Sequence, residues 1–224
     1  MIKEYIVFIT SLRKEKGISQ AKIADVIGIS RTSYIDVEKG KRELNVSELE
    51  KLANFFGVSA EQILEGVLPD YEKYRQMVLA FLRLDKKITK TKLAKLLYFA
   101  DFSWFYYHLE SMSGMQYRKI QYGPVAESYF RIIDEMSDKG EISIEQTKDG
   151  AMLISQTRSG AKINLNKMNN EECNLINKIE KKWKDKKTSE IVDFTHKQFP
   201  FLYARDNQVV SYALFTQENP DEIF

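Results

Sequence analysis

The sequence predicts a mainly α protein, with a five-helix N-terminal domain followed by a helix-rich α+β domain that holds a small antiparallel sheet. Three observations carry that expectation. Capping residues and glycines punctuate the first 66 residues at intervals suited to short helices. Residues 92–110, KLAKLLYFADFSWFYYHLE, are apolar on almost every face of a helical wheel. Residues 142–154 alternate apolar and polar around Asp149-Gly150, which signals a hairpin.

The first helix is read over residues 2–16, through Ile6, Ile9 and Leu12, and ends at Gly17. Ser19 caps a second, with Ile23, Ala24 and Ile27 at helical spacing, and Gly28 supplies the left-handed residue that stops it. Ser30 caps a third, in which Tyr34, Ile35 and Val37 turn inward while Arg31, Thr32, Ser33 and Asp36 point elsewhere. Ser47 with Glu50 reads as a capping box for a fourth, through Leu49, Leu52, Ala53 and Phe56, stopped by Gly57. Ser59 with Gln62 repeats the device for a fifth, through Ile63 and Leu64. Gly66, Pro69 and Asp70 then interrupt the periodicity, so domains at 1–66 and 74–224 are joined by a linker at 67–73.

In the second domain a helix is read over residues 71–84, and Thr89 caps a long one that runs to Glu110. Residues 116–122 look extended, and Gly123-Pro124 breaks the chain before a helix from Ala126 to Asp138. The hairpin follows. Asn169 with Glu172 forms a capping box for a helix through Cys173, Ile176, Ile179 and Trp183, and a further helix spans 189–198 before a mixed tail.

Composition narrows the function classes. Hydrophobic residues make up 43% of 224, enough to fill real cores rather than leave a disordered chain. One Cys, Cys173, and two His provide neither a disulfide framework nor the ligands of a structural zinc site, so a cytoplasmic protein without metal or cofactor is expected. No run approaches the roughly 18 apolar residues of a membrane span, and no signal peptide is visible, so no membrane partner is expected. The net charge is +2, and residues 1–66 hold 10 Lys and Arg against 10 Asp and Glu. That balance argues against a highly basic, nonspecific nucleic-acid binder. The chain is not read as an enzyme. It has no phosphate-cradling glycine loop and no G-x-S-x-G elbow, Cys173 sits at an apolar helical position, and nothing marks a nucleophile between His108 or His196 and carboxylates such as Asp101 or Asp193.

The second and third helices are joined as closely as a pair that enters a DNA major groove, with short polar groups at the start of the second of the two. Residues 2–66 resemble the lambda-repressor-like, Xre-type helix-turn-helix family at Ser19-Gln20, Ala24, Gly28-Ile29-Ser30-Arg31, Val37-Glu38-Lys39-Gly40-Lys41-Arg42, Leu49, Leu52-Ala53 and Phe56-Gly57-Val58-Ser59. The resemblance implies a third helix lying in the groove. It puts Arg31, Thr32, Ser33 and Asp36 at base-facing positions, Gln20 at a backbone-contacting position that also braces the reading helix, and Lys39, Lys41 and Arg42 in a phosphate-contacting loop. Arg13, Lys14 and Lys16 lie near the expected helix ends, and Glu38 reads as structural, tied to a nearby cation. One such head contacts few phosphates, so a homodimer on a two-fold operator is expected, with half-sites about one helical turn (~34 Å) apart.

On the long aromatic helix only a narrow seam through Lys92, Ser103 and Glu110 is polar. Phe99 and Tyr106 beside it are the candidates for exposed contacts. Lys92-Leu93 through Lys95-Leu96-Leu97-Tyr98-Phe99-Ala100, then Tyr122-Gly123-Pro124-Val125, Thr195-His196 and Ser211-Tyr212-Ala213 look like the Panacea, or SocA-like antitoxin, domain over residues 74–215. That resemblance implies an antitoxin whose second domain holds a cognate protein toxin inactive while its first domain represses its own operon, nucleoid-associated when bound. Tyr117, Tyr122 and Tyr129 are read as an aromatic rim on an extended edge offered to that toxin. The alternative is a phage-type or metabolic repressor whose second domain dimerises or senses a small ligand.

Overall fold

A computed structural model describes residues 3–56, 58, 60–66 and 68–224, and the chain forms two compact units, Met1–Leu68 and Pro69–Phe224. The expectations that rest on Ile2, Gly57, Ser59 and Val67 lie outside the described residues.

The first unit is all helical: α1 (Glu4–Glu15), α2 (Gln20–Ile27), α3 (Arg31–Glu38), α4 (Val46–Phe56) and α5 (Ala60–Glu65). Ile6, Ile9, Ile23, Ala24, Ile27, Tyr34, Val37, Leu52 and Ile63 form its core. Ser19 accepts from the Lys22 amide and Ser30 from the Ser33 amide, so both middle helices start where their caps dictate. The start of α4 differs from the sequence reading. The reciprocal box is Asn45 with Glu48, not Ser47 with Glu50: the Glu48 amide donates to Asn45 Oδ1 at 2.9 Å, and the Asn45 amide donates to Glu48 Oε2 at 3.1 Å. The N-x-x-E spacing precedes the S-x-x-E spacing, and Glu48 is the carboxylate that burial and Arg42 fix in place.

The second unit begins with α6 (Tyr71–Leu84), capped by Asp70, so residues 71–73 of the expected linker are its first turn. There follow β1 (Ile88–Thr89), α7 (Lys90–His108), β2 (Tyr117–Ile120), β3 (Gly123–Ala126), α8 (Tyr129–Asp138), β4 (Ile142–Gln146), β5 (Met152–Gln156), α9 (Arg158–Ala161), α10 (Asn170–Trp183), α11 (Thr188–Lys197), α12 (Phe199–Tyr203), α13 (Tyr212–Phe215) and a 3₁₀ turn over Pro220–Glu222. The sheets are antiparallel: β1–β5–β4, and the β2–β3 pair. The expected break at Gly123-Pro124 is instead the second strand of a hairpin, with Ile120 opposite Gly123 and Tyr117 opposite Ala126, and the helix after it starts at Tyr129. Proline fits because the strand needs no ladder bond from its nitrogen.

α7 runs through the centre of this unit. Every residue from Lys92 to Ser103 is buried, and the helix meets α6, α10, α11, α13 and the strands. Several of its polar residues tie neighbouring segments to it. Lys92 Nζ donates to the carbonyls of Lys184 and Lys186 at 2.8 and 2.9 Å, beyond the end of α10. Asp101 accepts from the Ser113 amide at 2.7 Å, the Ser113 hydroxyl at 2.6 Å and the Tyr117 hydroxyl at 2.7 Å, which pins the loop after α7 and the start of β2. Burial pushes the Asp101 carboxyl up to about 6 against the pull of these hydrogen bonds.

Because an unfolded aspartate titrates near ~4, the folded chain binds this proton first as pH falls. The Asp101 contribution therefore adds stability on acidification from about pH 6 towards ~4 and is constant above that window. Denaturant unfolding of the parent and Asp101→Asn between pH 7 and pH ~4.5 measures it. The parent is expected to gain on acidification relative to the variant, and parallel pH profiles would contradict the assignment.

Candidate nucleic-acid interface

The start of α3 is set by two local devices. Gly28 takes φ +79 and turns the chain out of α2, and Ser30 then caps α3, leaving Arg31 and Thr32 exposed on its first turn. Among the described residues neither side chain makes an ion pair or a side-chain hydrogen bond, so both are available to a ligand. Ser33 is half-buried and its hydroxyl shares a 2.9 Å hydrogen bond with that of Ser30. Asp36 is half-buried, and its backbone carbonyl accepts from the amides of Lys41 and Arg42 at 2.8 and 3.2 Å, which hangs the α3–α4 loop from the third helix.

One carboxylate fixes the orientation of α3. Glu38 accepts from Arg13 Nε at 2.6 Å and Nη2 at 3.1 Å, and from Gln20 Nε2 at 2.7 Å, while Arg13 Nη1 donates to the Ile18 carbonyl at 2.9 Å. Helices α1, α2 and α3 are thereby tied at a single point that is almost closed to solvent. Burial pushes the Glu38 carboxyl up, and the hydrogen bonds from Arg13 and Gln20 outweigh it, holding the group below the usual glutamate range. Gln20 is thus committed to bracing through its amide nitrogen, and Arg13 is an internal tie rather than a free cation near a helix end.

Arg42 is held in a similar way. Its guanidinium grips the buried Glu48 through two bonds of 3.1 and 2.6 Å, so it stiffens the loop at the start of α4. Lys39 and Lys41 are exposed and without ion pairs among the described residues.

The aromatic residues expected to face a protein partner divide sharply. Phe99 is fully buried, stacked on Trp183 at 5.6 Å and edge-on to Phe194 at 5.7 Å, because α10 and α11 cover the polar seam of α7. Tyr117 and Tyr129 are buried too, their hydroxyls donating to Asp101 and to the Lys90 carbonyl. The free edge expected at β2 is closed by the chain itself: the Lys119 amide donates to the Gln208 carbonyl, and the amides of Asn207 and Val210 donate back to Lys119 and Tyr117. Tyr106 is half-buried, and Tyr122 in the β2–β3 turn is 58% exposed. Beyond these, the end of α7 exposes Tyr107 and Leu109, whose sequence signal was only their distance from the helix centre.

Cys173 is half-buried, and burial raises its thiol above the usual range. His108 stacks on Trp104 at 3.8 Å and lies 3.7 Å from Glu171, not beside Asp101. Among the described residues no cluster of three or more His, Cys, Asp or Glu could hold a metal ion, and no helix is long and apolar enough to cross a membrane.

Comparison with known proteins agrees with this geometry. Residues 9–63 match the helix-turn-helix family and residues 93–200 match the family described as "Antitoxin SocA-like, Panacea domain". The chain is 40% identical over 60 residues to the SPbeta prophage-derived uncharacterized HTH-type transcriptional regulator YonR of Bacillus subtilis (strain 168), covering 27% of this chain and 56% of that protein. It is 34% identical over 56 residues to the cryptic phage CTXphi transcriptional repressor RstR of Vibrio cholerae, covering 25% and 50%. Control protein C.MunI of Mycoplasma sp is 35% identical over 57 residues, covering 25% of this chain and 77% of that protein. The chain spans about half the length of the phage regulators it matches. No solved structure matches it. The two matches stand in series: a helix-turn-helix domain at the N-terminus, fused to a SocA-like Panacea domain, both of non-catalytic families.

Proposed function

We propose that this chain is an operator-binding transcriptional repressor of the phage-regulator kind, acting as a homodimer on a two-fold site. The observation that carries the reading is the pairing of an exposed Arg31-Thr32 start of α3 with a buried Glu38 tie that sets the helix direction. A guanidinium at the first turn of such a helix reads guanine through two parallel hydrogen bonds, and Thr32 meets a base edge or a thymine methyl. Lys39 and Lys41 neutralise phosphate, and Asp36 selects by accepting from cytosine or repelling the backbone. Ser33 acts mainly through its bond to the cap, and Gln20 through Glu38.

A second reading is favoured by the family matched at residues 93–200, which is associated with antitoxins. In it the Panacea domain binds and neutralises a cognate protein toxin, and operator occupancy reports the toxin ratio because the two binding events are linked. Exposed Tyr107 and Tyr122, with half-buried Tyr106, are aromatics that would anchor such a partner.

Five expected outcomes test these readings. Arg31→Ala should leave thermal stability unchanged, cost about 1–3 kcal/mol on the best operator and relax preference at one base position, measured by binding to an operator library. Lys41→Ala should weaken binding evenly across sequences and lower the salt slope by about one. Arg13→Ala leaves Glu38 without its guanidinium partner and should destabilise the N-terminal domain by roughly 2–4 kcal/mol, lowering affinity for every sequence alike. Footprinting that finds a monomer on an asymmetric site would overturn the dimer. For the antitoxin reading, co-expression with the adjacent open reading frame should relieve its growth arrest and yield a stable complex, and failure of both removes it.

A further inference from the structure

Three large apolar side chains of the second unit stand exposed around one opening. Tyr122 in the β2–β3 turn is 58% exposed, Phe130 on α8 49% and Met152 at the start of β5 36%, and all three line a cavity of about 520 Å³. Ala94, Ile120, Val125 and Ala151 complete its apolar walls. A contiguous apolar rim left in water by a folded chain marks a place where another molecule is laid.

The polar groups of the lining decide what kind of molecule fits. Lys95 is fully buried, and its ammonium is committed to the Pro124 carbonyl at 2.8 Å. The Tyr129 hydroxyl donates to the Lys90 carbonyl, and the hydroxyls of Thr89 and Thr188 share a 2.8 Å bond. A small ligand needs a few free polar groups converging on it to fix its pose, and these are already engaged within the chain. Apolar side chains carried on a protein backbone need no such fixing, and their backbone covers the rim while they fill the cavity.

The wall that carries Tyr122 is held from behind. Gly123 has φ +96, and a Cβ there would stand 2.8 Å from Thr195 Oγ1 and 2.9 Å from Lys95 Cε, so the β2–β3 turn lies directly against α11 and α7. A wall set before the partner arrives needs less ordering on binding. Charge narrows the partner further. The two charged lining residues are lysines, and of these Lys90 is the one that reaches solvent, with its Nζ over the Phe130 ring. Its companion Asp134 is 3.4 Å away with a side chain 64% exposed. So open a pair contributes little, which leaves Lys90 free to take a partner's carboxylate in its place.

We propose that this opening is the docking site for the protein partner of the antitoxin reading, entered by a segment that carries large apolar side chains beside a carboxylate. The apolar side chains fill the space between Tyr122, Phe130 and Met152, and the carboxylate meets Lys90. The proposal rests on the antitoxin reading and goes further, placing the anchor at Tyr122 rather than at Tyr107 on the end of α7.

Co-expression of the full chain with the product of the adjacent open reading frame, then calorimetric titration of the purified pair, tests it. Tyr122→Ala and Phe130→Ser should each lower affinity roughly tenfold or more, with thermal stability and operator binding unchanged. Lys90→Glu should also lower affinity, and what remains should no longer weaken as salt is raised. Tyr107→Ala should bind as the parent does. Met152→Asp stands in if either of the first two variants misfolds. A complex that withstands the substitutions around the opening, or is lost with Tyr107→Ala alone, overturns the docking site and leaves the antitoxin reading in place. Absence of any complex with the parent removes that reading and the proposal with it. Sedimentation of the chain by itself supplies the last outcome: self-association abolished by the same substitutions would assign the opening to a second copy and overturn the proposal.

Discussion

A helix of 19 residues whose middle has no solvent face must be enclosed, and most of the second unit is the consequence of enclosing α7. Burying aromatic surface is favourable without regard to direction, so the apolar positions determine only that something must cover them. Direction comes from the few polar groups carried into the interior, since each forfeits several kcal/mol (about 1–3 per unmade hydrogen bond) if left without a partner. Asp101 therefore decides where the loop at Ser113 and the start of β2 lie, and Lys92 draws in the segment that follows α10. Ser103 reaches towards the Ile223 carbonyl and so engages the last residues described. Polar residues in this core act as addresses for the segments around it.

The first unit shows why a summed charge is a poor guide to a binding face. Residues 1–66 carry no net charge, yet two of the acids are turned inward, Glu38 on Arg13 and Glu48 on Arg42. The exposed first turn of α3 and the loop after it keep Arg31, Lys39 and Lys41 outward. A small cationic patch is enough to place a protein on phosphate while base contacts do the reading.

Much of this was legible in the sequence, for physical reasons that differ along the chain. Helices whose ends are set by their own side chains could be placed closely: Ser19, Ser30, Thr89 and Asn169 each cap the helix assigned to them. The β4–β5 hairpin followed from alternation and Asp149-Gly150. The Gly123-Pro124 strand was misread, because its conformation depends on the close approach of Lys95 and Thr195, which no local pattern reveals. The pattern points Phe99, Tyr117 and Tyr129 to the surface, whereas all three are buried, because local periodicity gives a residue's neighbours on its own element and not what other elements lay over it. The tie between Arg42 and Glu48 is hidden from the pattern for a similar reason, its acid partner being on the next element.

The tie at Glu38 has a consequence for how such regulators diversify. The groups that hold α3 in place, Arg13, Gln20 and Glu38, share no atom with Arg31 and Thr32, which face outward. Exchanging the outward pair leaves the scaffold's internal bonds intact, so those two positions can vary without a weakened fold. Loss of the inner trio has no such neutral path, and its three members are bound to change together or not at all.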